Sequence, residues 1–150
     1  MRVNNFDYVW SSCFGLGRLQ APGTWGSLVG VLFYSVFQFL PFFLHCILWL
    51  MVAAYSVVSA SRLAHEMNLT DPQIIISDEV VGMWLALLLI TPGQIASGVF
   101  AFILFRVFDI SKPGLVRDAE KLSGGMGIVM DDLVAAIFTA LVVLLLRLLG

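Results

Sequence analysis

Five apolar runs, each bounded by turn or charge signals, restrict what this chain can fold into more than any other feature. Residues 24–40 are almost wholly apolar and end at Pro41, and a second run goes from Phe42 to about Ala60. Each approaches the roughly 20 residues that cross a bilayer as a helix. A third helix is expected from Asp78-Glu79 to Ile90, stopped by Thr91-Pro92-Gly93. A fourth is expected from about Ile95 to Ile110, ending before Lys112-Pro113, and a fifth from Asp131-Asp132 to Leu149. The third and fourth are short for full crossings and would need tilt or local bilayer thinning. Residues 61–77 read as a polar connection carrying Arg62, His65, Glu66, Asn68 and Asp71, with Thr70-Asp71-Pro72 as a turn signal. The first 23 residues are polar and Gly-rich.

The remaining composition agrees. Hydrophobic residues make up 60% of the chain and charged residues 12%, with a mean hydropathy of +0.97, whereas about a quarter of residues in soluble domains are charged. In hydrocarbon every backbone polar group has to be satisfied within its own segment, and the alternating ten-residue pattern of a barrel is absent. The expected fold is therefore all-α: a single membrane domain over residues 1–150, a bundle of about five hydrophobic helices making four to five spans. No cleavable signal is expected, since the first apolar run leads straight into the second. Cys13 and Cys46 form no framework, and Cys46 falls inside an apolar run, so both are expected to be free thiols. Nucleic acid is not an expected partner, and the oligomeric state is left open.

If successive helices cross in alternation, the start of the first and the polar ends of the other four fall on one face. That face receives Arg18, Asp78, Glu79, Arg106, Asp109, Lys112, Asp131 and Asp132 together. Seven of the eight basic residues share it, Arg147 being the exception, and the positive-inside rule makes such a face cytoplasmic.

The stretch from Arg106 to Asp132 carries four basic residues, five acidic residues and a Gly-Gly-Met-Gly turn. Polar density of this kind beside hydrocarbon marks a functional site. Asp78-Glu79 and Asp131-Asp132 each precede an apolar run, where helix capping accounts for one carboxylate of each pair. It does not account for the second, nor for Asp109 at a helix end where the dipole disfavours negative charge. A local ion pair with Arg106, three residues earlier, is the plain alternative for Asp109. Gathered on one face, five carboxylates would repel one another unless a cation offset them. Oxygen ligation without a His or Cys cluster suits Mg²⁺. Arg106 and Lys112 are then placed to hold a phosphate, and the amides of Gly124-Gly125-Met126-Gly127 could add donors. Asp78, Glu79, Asp109, Asp131 and Asp132 are assigned to metal binding or general-base work, with Thr24 and Gly125 as further residues near the substrate.

Other chemistries fit less well. Cys13 and Arg18 are one residue too close for the cysteine-phosphatase loop, Gly15-Leu16-Gly17 is too short for a dinucleotide fingerprint, and no Walker lysine follows it. His45 and His65 lack the neighbours that a histidine-based lipid phosphatase needs. Gly26, Ser27 and Gly30 suit close helix contact.

Three blocks in order resemble the phosphatidylglycerophosphatase A family of bacterial membrane enzymes. They are Ala21-Pro-Gly-Thr-Trp-Gly-Ser-Leu28, Asp71-Pro-Gln-Ile-Ile-Ile-Ser-Asp-Glu-Val-Val-Gly-Met-Trp84, and Phe105-Arg-Val-Phe-Asp-Ile-Ser-Lys-Pro113 continuing to Gly124-Gly-Met-Gly-Ile-Val-Met-Asp-Asp132. One departure is that the family usually has Asp-Arg shortly before the double glycine, where this chain has Glu120-Lys121 one residue closer. The resemblance implies Mg²⁺-dependent removal of the terminal phosphate of phosphatidylglycerophosphate, giving phosphatidylglycerol, by a multi-pass enzyme of the bacterial cytoplasmic membrane with its site facing the cytoplasm. In-line attack by a metal-activated water is the simplest chemistry, and a phospho-aspartate intermediate is compatible with the same residues. A divalent-cation transporter is the competing class, but it calls for acids near mid-span. A CDP-alcohol phosphotransferase also uses membrane-edge aspartates, but its Asp-Gly…Ala-Arg…Gly…Asp…Asp run is absent.

Overall fold

A computed structural model describes residues 5–90 and 95–149, and the expected Thr91-Pro92-Gly93 stop lies outside them. The described residues form α1 (Asn5–Ser11), a 3₁₀ turn (Leu16–Arg18), α2 (Pro22–Phe37), α3 (Phe42–Met67), α4 (Ser77–Leu88), α5 (Ile95–Ser111), α6 (Leu115–Glu120) and α7 (Gly125–Leu149), with no strand among them. The five apolar runs become α2, α3, α4, α5 and α7, so the all-α expectation holds.

Short α4 is the centre of the bundle. Val80, Val81, Met83, Trp84 and Ala86 are at most 2% exposed, because α2, α3, α5 and α7 all pack around this helix. Glycines allow the closest approach. A methyl group on Gly30 of α2 would lie 2.6 Å from the Val80 carbonyl oxygen, and one on Gly26 would lie 2.7 Å from that of Ile76. Gly26 and Gly30 thus make the close contact expected of them, while Ser27 is buried and donates a hydrogen bond to the Gly23 carbonyl of its own helix at 2.8 Å. A helix wrapped this way presents little surface to lipid, so its 12 residues need not match a bilayer. At the end remote from the charged residues, His45 is buried and accepts a hydrogen bond from the Trp84 indole at 2.7 Å. α3 and α7, with 26 and 25 residues, are long and apolar enough to cross a membrane.

Two expected boundaries are corrected. α3 does not stop near Ala60 but continues to Met67. Leu63 and Ala64 keep its inner face buried while Arg62 and His65 turn outward. Asn68, in the left-handed conformation at φ 52°, ends the helix. α7 starts at Gly125, six residues before Asp131. The glycine cluster is therefore its first turn rather than a loop ahead of the helix. The absence of a side chain at Gly125 lets α7 lie directly on α3, where a methyl would collide with the Val57 carbonyl and Ser61.

Two short helices were not expected. α1 packs on α3 through Asp7, buried at 2% exposure, which accepts a hydrogen bond from the Tyr55 hydroxyl at 2.7 Å and pairs with Arg62 at 3.5 Å. α6 lies within the charged stretch and packs on α7 through buried Val116.

Candidate active site

The link into α4 is held from two sides. The Ile76 N–H donates to the Ser11 carbonyl at 2.8 Å and the Ile75 N–H to that of Pro72 at 2.9 Å, while Gly17 lets the 3₁₀ turn rest on the Ile74 carbonyl. Ser77, Asp78 and Glu79 follow as the first turn of α4, behind an Ile76 cap whose side chain can accept no hydrogen bond. Asp131 and Asp132 arrive from the second turn of α7, too deep in the helix for capping to explain either one. Gly82 permits that approach: a methyl there would lie 3.0 Å from Asp132 Cβ and 2.8 Å from Phe105 Cζ. α5 contributes Arg106 and Asp109 near its C-terminus.

These residues meet in a cleft of ≈ 340 Å³ lined by Asp78, Glu79, Arg106, Asp109, Lys112, Asp131 and Asp132. The carboxylates divide by partner. Asp78, Glu79 and Asp132 each offer an oxygen, all within 4.8 Å of one another. Asp78 Oδ1, Glu79 Oε2 and Asp132 Oδ1 are buried and have no hydrogen-bond partner among the described residues. Asp109 instead forms an ion pair with Arg106, whose Nη1 also stands 4.0 Å from Glu79 Oε1. Asp131 takes Lys112 Nζ at 2.8 Å, and Glu120 takes the same ammonium at 2.6 Å. Removal from water would lower the Lys112 pKa, but the hydrogen bonds and charges of Asp131 and Glu120 outweigh it and push the ammonium up, so it stays charged. The Arg106–Asp109 alternative is thus part of the structure, and it sits inside the cleft rather than apart from it.

If ionised together, these three carboxylates, Asp78 and Asp132 buried and Glu79 half-buried, would repel one another by several kcal/mol at about 4 Å and an effective dielectric of about 20. Buried oxygens without a partner add their own penalty. An all-oxygen set with open lone pairs fits a hard divalent cation, and Asp78, Glu79 and Asp132 are the residues that would hold it. Cys13 has no part in such chemistry: burial, reinforced by the Glu79 charge, pushes its thiol up to about 12. Cys13 and Cys46 are both free.

Thr24 and Gly125 do not line this cleft. Thr24 follows Gly23, which does line it, and Gly125 faces α3, its N–H donating to Ser61 Oγ at 3.2 Å. Gly23, Asp71, Gln73 and Glu120 were missed as site residues. A methyl on Gly23 would lie 2.5 Å from Glu79 Oε1 and 2.6 Å from Arg106 Nη1, so this glycine is a wall of the site. Its place beside Pro22 at the start of α2 was the only local signal. Glu120 gave a weaker one, as an acid eight residues beyond Lys112.

The profile of the family described as Phosphatidylglycerophosphatase A matches residues 9–147. A phosphatidylglycerophosphatase A of Escherichia coli (strain K12) is 31% identical over 142 residues, covering 93% of this chain and 83% of that protein. One of Haemophilus influenzae is 37% identical over 136 residues, covering 87% and 82%. A putative phosphatidylinositol-3-phosphatase of Bacteroides thetaiotaomicron is 32% identical over 135 residues, covering 85% and 84%. No solved structure matches the chain.

Proposed function

The chain belongs to the phosphatidylglycerophosphatase A family, and we propose that it is the Mg²⁺-dependent membrane enzyme that converts phosphatidylglycerophosphate to phosphatidylglycerol and phosphate. That it is a phosphatase follows from the family. The observation that supports the dependence on a cation is the trio Asp78, Glu79 and Asp132, with one buried oxygen on each that has no hydrogen-bond partner among the described residues.

A divalent cation on that trio would offset its charge and polarise a phosphoryl oxygen. The other residues bind and orient. Arg106 presents a planar fork of donors suited to a phosphomonoester, and Asp109 fixes the direction in which it points. Lys112 supplies a second positive charge in the same cleft, steadied by Asp131 and Glu120 until a phosphate competes for it. Gly23 and the α2 backbone close one wall, which limits water around the reacting phosphate.

The same reading places α2, α3, α4, α5 and α7 in the bacterial cytoplasmic membrane with the cleft at its cytoplasmic face. In support, exposed apolar side chains lie on the outer faces of four helices, among them Leu32 and Val36 of α2, Leu50 and Met51 of α3, Val99 and Ile103 of α5, and Leu141 and Leu145 of α7. A surface this apolar is unfavourable in water and suited to lipid. The acids gather at one end of the bundle rather than along a path through it, which favours a surface reaction over cation transport.

The test is phosphate release by the purified protein from phosphatidylglycerophosphate, with phosphatidylinositol 3-phosphate in parallel, in Mg²⁺ and in EDTA. The expected result is release from phosphatidylglycerophosphate in Mg²⁺ alone. Faster release from the inositol lipid would move the assignment to the substrate named for the Bacteroides relative, and equal release in EDTA would remove the cation.

A further inference from the structure

Beside the carboxylate cleft lies a second, larger one of ≈ 600 Å³, within the range of small-molecule sites. It is bounded by the last turns of α3, the 69–71 link and the segment joining α6 to α7. Asp71 and Asp131 line both clefts. Lys112 lines the first and its partner Glu120 lines the second, so their 2.6 Å ion pair marks the boundary. A ligand extending across that boundary would reach from Arg106 to Lys121.

Asp71, Asp131 and Glu120, the last two held by Lys112, line the side toward the first cleft, and the remaining walls suit one kind of ligand. Ser61, Thr70 and Ser123 carry hydroxyls into its lining, and Lys121 adds an ammonium. Thr70 and Ser123 are exposed, and neither side chain makes a hydrogen bond among the described residues. Among the described residues the Lys121 ammonium is held by Asp118 alone, at 2.7 Å, with both side chains more than 60% exposed. A pair so solvated contributes little and yields readily to a better anion. At the rim Leu69 and Leu122 are 53% and 48% exposed. Hydroxyls, one loosely held cation and an apolar lip together match the neck of an amphiphile: a polyol, a phosphodiester and the start of an acyl chain.

We propose that this second cleft binds the part of the lipid headgroup that is not hydrolysed, with Lys121 on the phosphodiester, Thr70 and Ser123 on the glycerol hydroxyl, and Leu69 and Leu122 leading the acyl chains out. The proposal rests on the reaction assigned above and adds to it the residues that select the headgroup. Binding energy from this remote part of the substrate would be used at the reacting phosphate.

The test compares two lipid phosphomonoesters in the same micelles: phosphatidylglycerophosphate, which has the neck, and phosphatidic acid, which lacks it. In Lys121→Gln/Ser123→Ala, the ratio of kcat/KM for the first lipid over the second should fall roughly tenfold to a hundredfold, as loss of one charged and one neutral hydrogen bond predicts. An unchanged ratio overturns the proposal, whether both rates stay or both fall. If the wild type does not turn over both lipids, calorimetric titration with glycerophosphoglycerol, the deacylated headgroup, decides separately. Saturable binding that the double variant weakens about tenfold supports the cleft whatever the reaction. Absent or equal binding overturns it.

Discussion

Arg106 stands between two acids, paired with Asp109 and 4.0 Å from Glu79, and its substitution separates binding from mere charge balance. If it grips phosphate, Arg106→Lys should lower kcat/KM by about 1–3 kcal/mol, because lysine keeps the charge but loses the fork. If it only balances Asp109, the variant should be nearly silent. Steady-state kinetics at saturating Mg²⁺ distinguish the two. At this scale the sequence was informative about residue type and silent about partners. The five carboxylates and two cations were legible as a group because they share one face. Which acid holds Lys112 was not, since Asp131 and Glu120 reach it from different helices. The Glu120 contact depends on α6, which no apolar periodicity announced.

Packing at the level of helices turns on the α2–α4 contact. A methyl on Gly30 would lie 2.6 Å from the Val80 carbonyl and 2.9 Å from Met83 Cβ, and backbone cannot give way as a side chain can. Gly30→Ala should therefore destabilise by about 1–3 kcal/mol, visible as a lower Tm in detergent with the cleft residues intact. An unchanged Tm would show that α2 is free to move away from α4. The helix cores were readable from their apolar runs; the ends were not, for identifiable reasons. Polar residues 61–67 hid an amphipathic continuation of α3. The glycines at 124–127 gave the signal of a turn, yet they are there for close packing on α3. That error mattered for the site, because it placed Asp131 and Asp132 at a helix start, where capping competes as an explanation.

For the molecule as a whole, the proposed arrangement sets the charged ends on the cytoplasmic face, and α7 makes the last crossing. Reporter fusions at Gly114 and at the C-terminus should then report opposite sides of the membrane, and the same side for both would refute it. The clustering of acids at one end was legible from alternation alone; the burial of α4 was not, since a wrapped helix and a lipid-facing one are equally apolar in sequence. What joins topology, packing and chemistry is the claim that Asp78, Glu79 and Asp132 form one cation centre. Mn²⁺ binding to the purified protein, followed by electron paramagnetic resonance, tests it most directly, comparing the wild type with a folded Asp132→Asn variant. The account predicts saturable Mn²⁺ binding that excess Mg²⁺ displaces and that Asp132→Asn weakens by at least about tenfold, because the number of charged ligands sets divalent affinity. Equal binding by the variant, or no saturable binding by the wild type, would contradict it.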